Sequence, residues 1–89
     1  TNCNLQCTSF VNSVINESSF ESADFRWANL SNATIQKTNF NDADLRNANL
    51  SSTKLINCTF SGAKFNYSTL LPFSPDKALE LGMRLTKEI

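Results

Sequence analysis

The 89 residues of this chain include no histidine. The side chains that could still take part in catalysis or metal binding are therefore mainly its carboxylates and thiols. Without histidine, Ser-His and Cys-His nucleophiles are excluded, and two glycines leave no phosphate-cradling loop. Asp24 and Asp44 form the carboxylate pair of interest, because they lie twenty residues apart in similar contexts. If the chain returns to the same face every twenty residues, the two carboxylates would be roughly 5 Å apart, a separation used by retaining glycosidases.

The surroundings of Asp24 and Asp44 nevertheless argue against catalysis. An arginine follows each of them by two residues, at Arg26 and Arg46. Each carboxylate can therefore reach an arginine on a polar, convex surface, where an ion pair offsets the repulsion of like charges. Nothing in the sequence predicts a cleft that would enclose a substrate. We predict no catalytic residues and no enzyme activity.

Three cysteines, at positions 3, 7 and 58, do not form a metal site or a disulfide framework. Cys3 is predicted to point inward and Cys7 outward, and no further soft ligand is evident. We therefore predict neither a metal nor a cofactor. A bond between Cys3 and Cys58 would have to span nearly three stacked coils, on the order of 13 Å, whereas bridged cysteines need Cα atoms within roughly 7 Å.

A five-residue repeat must position all of these side chains. Every fifth residue from Leu5 to Leu70 is Leu, Ile or Phe, without exception over fourteen steps. A small residue precedes each of them by two positions, and the other three positions are mostly polar. A period of five matches neither the 3.6 residues of a helix nor the 2 of a flat strand. The pattern therefore indicates a repeat architecture.

The sterics of one unit predict a square coil. With one large and one small inward residue in each unit, the chain can turn a corner after every unit, and four corners close a coil of about twenty residues. Successive coils would stack at roughly 4.8 Å. The large residues would fill the axis, while the small ones let the backbone come close. Each coil would bond to its neighbours and form a quasi-one-dimensional solenoid.

The units resemble those of the pentapeptide-repeat family, whose motif is A(D/N)LXX. Units such as Ala43-Asp44-Leu45-Arg46 carry the resemblance, which covers residues 3 to 70. It implies an all-β solenoid, a right-handed quadrilateral β-helix of about 3.5 coils, and the handedness comes from the family alone. We predict a β-helix over residues 1–71, followed by a connector and a capping α-helix over residues 72–89.

The residues after Leu70 leave the five-residue rhythm. Ser74 is a predicted N-cap and Pro75 the first helical residue, and apolar residues continue at helical spacing as far as Ile89. We predict an amphipathic helix over residues 75–88 that folds over the last coil. Such a helix would cover an open solenoid end, which otherwise exposes apolar residues and unpaired backbone.

Residues twenty apart would lie above one another, which predicts the interior columns. Phe20, Phe40 and Phe60 would form a stack of rings. Leu70 would end another interior column, above Leu50. Both predictions depend on an uninterrupted count of five.

One outward corner carries the candidate binding residues. Trp27 and Tyr67 hold the last position of their units, two coils apart, with Asn47 between them and two arginines alongside. Exposed aromatic residues are enriched at protein interfaces. We therefore predict a flat protein-binding strip of Arg26, Trp27, Arg46, Asn47 and Tyr67. In the structural alternative, Trp27 lies flat over its own corner and Tyr67 packs under the cap.

Charge and composition restrict the partners. Eight Lys and Arg balance eight Asp and Glu, which argues against nucleic acid. No apolar run approaches the roughly 18 residues of a membrane span, and no small-molecule substrate is predicted. An unidentified protein partner and end-to-end association of copies, through an N-terminal coil without a cap, both stay open.

The sequence favours a non-catalytic structural or protein-interaction module. One alternative, implied by relatives in the family, is a DNA-mimicking regulator of gyrase, although mimicry needs a long acidic rod and this chain is short and neutral. Another is a scaffold domain of a larger secreted or effector protein, because the chain begins inside its first repeat. We expect a soluble protein, with the bacterial cytoplasm, the periplasm and a plastid lumen all compatible.

Overall fold

The chain climbs around a four-sided axis, so that residues twenty apart lie beside one another. The computed structural model describes residues 4–86. Its elements are β1 (Val14–Asn16), β2 (Thr34–Gln36), β3 (Lys54–Ile56), β4 (Lys64–Phe65), α1 (Pro75–Glu80) and β5 (Arg84–Leu85). β1, β2 and β3 form a parallel sheet, and β4 pairs with β5 in a second one. Register partners such as Ile15 and Ile35 differ by twenty, which confirms the predicted coil length.

Each coil has four faces, which we label A to D in chain order. Face A holds Asn4, Asp24, Asp44, β4 and β5, face B holds Ser9, Asn29, Asn49 and Leu70, face C holds β1 to β3, and face D holds Ser19, Asn39 and Thr59. The ladder bonds run along the axis. The Leu45 N–H donates to the Lys64 carbonyl at 2.8 Å, and the Lys64 N–H donates to the Ala43 carbonyl at 2.8 Å. A coil thus needs neighbours on both sides to satisfy its backbone.

The corners are turns in which one residue has a positive φ. In one of them the Ala28 N–H donates to the Phe25 carbonyl at 3.0 Å, and Trp27 between them has a φ of 67°. The same conformation recurs at the last position of successive units: Cys7, Asn12, Glu17, Ser22, Trp27, Asn32, Lys37, Asp42, Asn47, Ser52, Asn57 and Gly62. Because Asn, Asp and Gly tolerate left-handed backbone best, this geometry explains why Asn recurs there.

The Asp or Asn at the second position of a unit caps the turn that follows it. The Asp24 Oδ1 accepts a hydrogen bond from the Arg26 N–H at 3.1 Å, and the Asn29 Oδ1 accepts one from the Ser31 N–H at 3.0 Å. Such local bonds mimic a backbone turn and are typical of Asp and Asn. They give a physical reason for the D/N of the repeat motif.

The interior is filled as the repeat predicts. The apolar centres of the middle coils are fully buried, at 0 % exposure: Phe25, Leu30, Ile35, Phe40, Leu45 and Leu50. The ring of Phe40 stacks on those of Phe20 and Phe60, with centroids 5.6 and 5.2 Å apart, which confirms the predicted aromatic column. In the first coil, by contrast, the inward residues Leu5, Phe10, Ile15 and Phe20 are only partly buried.

One extra residue, Asn66, shifts the register of face B in the last coil. Lys64 still lies twenty residues above its partner, whereas Leu70 pairs with Asn49 at a separation of twenty-one. The prediction that Leu70 ends an interior column is therefore wrong. Leu70 is 52 % exposed, and Leu71 packs against the core in its place. Counting by five missed the shift because both residues are leucine.

Helix α1 begins where the sequence predicts. The Ser74 Oγ accepts a hydrogen bond from the Lys77 N–H at 3.2 Å, and Pro75 is the first helical residue. Ala78 is fully buried and anchors the helix to the last coil. The ring of Phe73, in the connector before α1, meets Phe60 edge-on at 6.3 Å.

The same helix ends at Glu80, so it is much shorter than the predicted range 75–88. Gly82 follows with a φ of 88°, the left-handed conformation that commonly ends a helix. The chain then re-enters face A as β5, in parallel register with β4. By chain order α1 thus takes the place of faces C and D in the last coil. The predicted helical residues from 87 onward lie outside the described residues.

Candidate interaction surface

Two aspartate–arginine pairs lie on face A and at its corner. The Nε and Nη2 of Arg26 donate to the two carboxylate oxygens of Asp24 at 3.0 and 2.9 Å. Arg46 binds Asp44 in the same way, at 2.8 and 2.6 Å. The Arg26 Nε also lies 3.8 Å from Asp44 Oδ2. Each carboxylate thus reaches an arginine, as the sequence predicts, and the contact between Arg26 and Asp44 links the two pairs.

This arrangement keeps Asp24 ionised. Hydrogen bonds from the Arg26 side chain lower the pKa of Asp24 from 3.8 to about 2, against the opposing effect of partial burial. The Gln6 Nε2 donates a further bond to Asp24 Oδ2 at 2.6 Å and lowers the pKa too. A group with so low a pKa exchanges protons poorly near neutral pH. The geometry fits a structural ladder better than an acid–base site.

Trp27 is exposed although its backbone conformation is unfavourable. Its side chain occupies the outward corner position and the residue is 60 % exposed, with a φ of 67°. Left-handed backbone costs an ordinary residue roughly 1–2 kcal/mol and is a genuine outlier for a bulky one.

Asn47, the predicted middle of the strip, is held by the inserted residue above it. The Asn47 N–H donates to Asn66 Oδ1 at 3.1 Å and to Thr69 Oγ1 at 3.2 Å. The Asn66 Nδ2 donates in turn to Asn47 Oδ1 at 3.4 Å. Asn66 is itself only 2 % exposed. This network fixes the corner and leaves Asn47 less available to a partner than its aromatic neighbours.

Tyr67 is the most open residue of the strip, at 68 % exposure. The Thr69 N–H donates to the Asn66 carbonyl at 3.1 Å, which places Tyr67 at the first central position of its turn. Arg46 holds that position one coil below. The prediction that Tyr67 shares the turn position of Trp27 is therefore wrong by one residue. All five strip residues nevertheless lie along the corner between faces A and B.

An apolar groove, which the sequence did not predict, lies in the last coil beside Tyr67. Its volume is about 290 Å³, and its lining includes Phe65, Leu71, Phe73 and Leu85. The groove forms where the extra residue and the connector before α1 interrupt the square coil. The five-residue repeat stops after residue 70, which indicates that the coil is interrupted there. The pattern does not predict that a groove forms at this point.

The described cysteines are free thiols. Cys7 is exposed and Cys58 half-buried, and the Cys58 Sγ donates to the Ile35 carbonyl at 3.5 Å. Cys3, and with it the predicted separation from Cys58, lies outside the described residues. Within residues 4–86, no three His, Cys, Asp or Glu side chains are grouped to hold a metal ion. Over the same range, no helix has the length and apolar character needed to cross a membrane.

The repeat units, the coil of twenty and the filled axis agree with a family model. The model for pentapeptide repeats matches residues 1–32 and 23–62, in eight copies. The chain belongs to the pentapeptide-repeat family. Members of this family form right-handed quadrilateral β-helices, which confirms the predicted fold class and its handedness. The family is a structural and generally non-enzymatic fold.

Two solved pentapeptide-repeat structures from cyanobacteria are similar to this chain. Rfr23 from Cyanothece 51142 is 26 % identical with a TM-score of 0.74, over 76 % of this chain and 46 % of that protein. HetL from Nostoc sp. strain PCC 7120, involved in heterocyst differentiation regulation, is 25 % identical with a TM-score of 0.67, over 73 % of this chain and 31 % of HetL. This chain thus spans less than half the length of either protein. No curated protein matches it.

Proposed function

We propose that this pentapeptide-repeat protein is a non-catalytic interaction module that binds another protein through the strip of Arg26, Trp27, Arg46, Asn47 and Tyr67. The observation that carries the proposal is Trp27, which is 60 % exposed in a strained left-handed conformation. Most other units place a small or polar residue at this position. Strain of this kind is commonly kept where function requires it.

The charges of the strip favour a protein partner over a polyanion. Arg26 and Arg46 both donate to aspartates, so their guanidinium groups are already neutralised. A nucleic-acid surface needs uncompensated basic residues. Two exposed aromatic rings beside neutral ion pairs are instead typical of a protein interface, in which aromatic residues and arginine are enriched.

The same ion pairs argue against the DNA-mimicking alternative. Mimicry of DNA requires a surface with a strong negative field, whereas each aspartate of face A is matched by an arginine. A gyrase supercoiling assay tests this alternative, and we expect no inhibition and no protection by this chain. A regulatory role through protein binding fits better, and a related protein, HetL, takes part in regulation.

Affinity capture with three variants tests the proposal. Trp27→Asn removes the ring and places a residue that tolerates the left-handed backbone, so the fold should be kept. Tyr67→Ser removes the second ring. Both should lose a partner that wild-type protein retains from a lysate of the source cells.

Val14→Thr is the matched control, because Val14 is 77 % exposed on face C, away from the strip. It should retain the partner. If Trp27→Asn and Tyr67→Ser capture the same proteins as wild type, the strip has only a structural role. Urea denaturation checks that each variant is folded, and Trp27→Asn should be at least as stable as wild type.

A further inference from the structure

Face B carries no charged side chain in any of its described coils. The stretches of chain that run through it, residues 7–13, 27–33, 47–53 and 67–71, contain no Asp, Glu, Lys or Arg. The whole chain nevertheless has eight acidic and eight basic residues. A partner segment that lies on this face would bury its own charges without compensation, which is costly. The face therefore suits an uncharged segment.

Face B also carries a column of hydrogen-bond donors. The Oδ1 atoms of Asn29 and Asn49 each cap a turn, by accepting from the backbone N–H groups of Ser31 and Ser51 at 3.0 Å. The Nδ2 groups of both asparagines have no acceptor among the residues that the structure describes, and neither is buried away from solvent. The indole N–H of Trp27, at the corner beside them, has no acceptor in this range either. These donors suit a partner that is rich in carbonyl groups.

The rings of Trp27 and Tyr67 are spaced like two residues of a polyproline II (PPII) helix. They belong to coils two apart, and two steps at the strand spacing separate them by about 10 Å along the axis. A PPII helix has three residues per turn and a rise of 3.1 Å per residue, so residues i and i+3 share a face roughly 9 Å apart. Prolines at these two positions would each meet one ring.

Other backbone conformations fit this side of the molecule less well. In the middle coils the ladder of face B is closed, since the Asn29 N–H donates to the Thr8 carbonyl at 2.9 Å and the Leu30 N–H donates to the Asn49 carbonyl at 2.7 Å. An added strand would find no free edge there. An α-helix uses its carbonyls internally and would leave the asparagine donors unpaired. A PPII helix has no internal hydrogen bonds, and proline has no N–H that needs an acceptor.

We propose that the strip and the adjoining face B bind an uncharged, proline-rich segment of a partner protein, in the PPII conformation and along the axis. The proposal rests on the proposed function of the strip and adds the chemistry of its partner. One proline would pack on Trp27, and the proline three residues later would pack on Tyr67. Carbonyls between them would accept from the Trp27 indole N–H and the Asn49 Nδ2. Aromatic residues bind such segments well because the PPII helix forms before binding.

Fluorescence titration with a blocked polyproline peptide of about nine residues, three turns of a PPII helix, tests the proposal. Trp27 is the only tryptophan of the chain, so its emission reports directly on the strip. The emission should move to shorter wavelength on addition of the peptide, because the ring leaves water. A blocked Gly-Ser peptide of the same length should have no effect. Equal shifts with both peptides, or none with polyproline, would overturn the proposal.

Asn49→Asp isolates the donors of face B. Aspartate keeps the turn cap, as Asp24 and Asp44 show at the same position of their units, but it replaces the donor by an oxygen that repels carbonyls. Binding of polyproline should weaken about tenfold. Asn39→Asp makes the same change on face D, where the Asn39 Oδ1 caps its turn at 2.8 Å, and should leave the affinity unaltered. Equal weakening by the two variants would contradict the proposed placement of the peptide.

Tyr67→Ser tests whether the peptide spans both rings. The variant keeps Trp27 as the reporter, and it should bind polyproline about tenfold more weakly, because the second proline loses its contact. Val14→Thr, on face C, should bind as wild type does. If Tyr67→Ser binds with the affinity of wild type, the peptide does not reach the last coil and the proposal is wrong.

Two further outcomes separate this proposal from its neighbours. If Trp27→Asn loses a captured protein although wild type does not bind polyproline, the strip binds a protein of another kind, so that the proposed function holds and this inference fails. If Trp27→Asn loses no protein and polyproline does not bind, both fail. An uncharged cello-oligosaccharide that shifts the emission of Trp27 as strongly as polyproline would assign the rings to a glycan and would also overturn the proposal.

Discussion

Asp24 shows how much one side chain contributes to a coil of this type. Its Oδ1 accepts hydrogen bonds from the backbone N–H and the Nε of Arg26, at 3.1 and 3.0 Å. Its Oδ2 accepts from the Arg26 Nη2 at 2.9 Å and from the Gln6 Nε2 at 2.6 Å. The same carboxylate therefore caps its own turn, fixes an arginine and ties two coils together. All of these bonds favour the ionised form.

Stability should depend on acid pH through this residue. The folded-state pKa of Asp24 is about 2, below its ordinary value of 3.8, so its contribution is fully present above pH 3.8 and is lost as the pH falls toward 2. Arg26→Gln removes the main cause of the shift. The stability advantage of wild type over Arg26→Gln, from urea midpoints, should be constant near neutral pH and vanish between pH 3.8 and 2.

The control for this prediction is Lys37→Gln, which breaks the pair with Glu17. That pair has an N–O distance of 3.7 Å and side chains that are 59 and 67 % exposed, so solvent screens it. Its urea midpoints should follow those of wild type at every pH. If wild type is still more stable than Arg26→Gln below pH 2, Asp24 is not the group whose protonation causes the pH dependence of the stability.

For single residues, the sequence predicts which side chains form ion pairs better than it predicts backbone conformation. The pairing of Asp24 with Arg26 and of Asp44 with Arg46 follows from spacing alone. The positive φ of Asn32 or Asn47 does not, because Asn is also an ordinary polar surface residue. The repetition of Asn at the last position of the unit was the signal for a left-handed corner. Trp27 obscured it, because a bulky residue rarely adopts that conformation.

The phenylalanine column is the clearest element of the interior. Phe40 lies between Phe20 and Phe60, and its plane is within 22° and 3° of theirs. It is also fully buried, whereas Phe20, in the first coil, is only partly buried. Aromatic pairs of this kind stabilise beyond their buried area by roughly 0.5–1.5 kcal/mol.

Phe40→Ala should therefore lower the free energy of unfolding by about 3–5 kcal/mol, since it removes a fully buried ring and leaves a cavity. Chemical denaturation followed by circular dichroism measures the loss. Phe20→Ala is the matched control, because it removes the same atoms from a partly solvated site, and its loss should be clearly smaller. Equal losses for the two variants would contradict the prediction that Phe40 contributes more to stability than the partly exposed Phe20.

Elements at which the repeat stops are the ones that the sequence predicts least well. Ser74 and Pro75 correctly mark the start of α1, because capping is local chemistry. The sequence does not predict where α1 ends, because Leu81, Met83 and Leu85 continue an apolar pattern that suits a helix and a strand equally. Pairing with β4 decides in favour of the strand. The extra residue Asn66 was missed for a similar reason, since two adjacent leucines hide the shift.

The molecule as a whole is a stack of coils whose stability should vary along the axis. Each coil contacts only its neighbours, so opening can begin at an end without the middle. The inward residues of the middle coils, such as Leu30 and Leu45, are fully buried, whereas Leu5 and Phe10 of the first coil are half-exposed. None of the described residues covers the first coil from the other side.

Hydrogen exchange measured by mass spectrometry should show this gradient directly. Amides of residues 24–65 should exchange about tenfold more slowly, or slower still, than those of residues 5–20, because the first coil can open while its neighbours stay folded. Phe20→Ala should speed exchange in residues 5–20 and leave the middle coils protected. If all amides instead exchange at one rate, and Phe20→Ala speeds them together, the β-helix unfolds as a single cooperative unit and the gradient of burial has no counterpart in local stability.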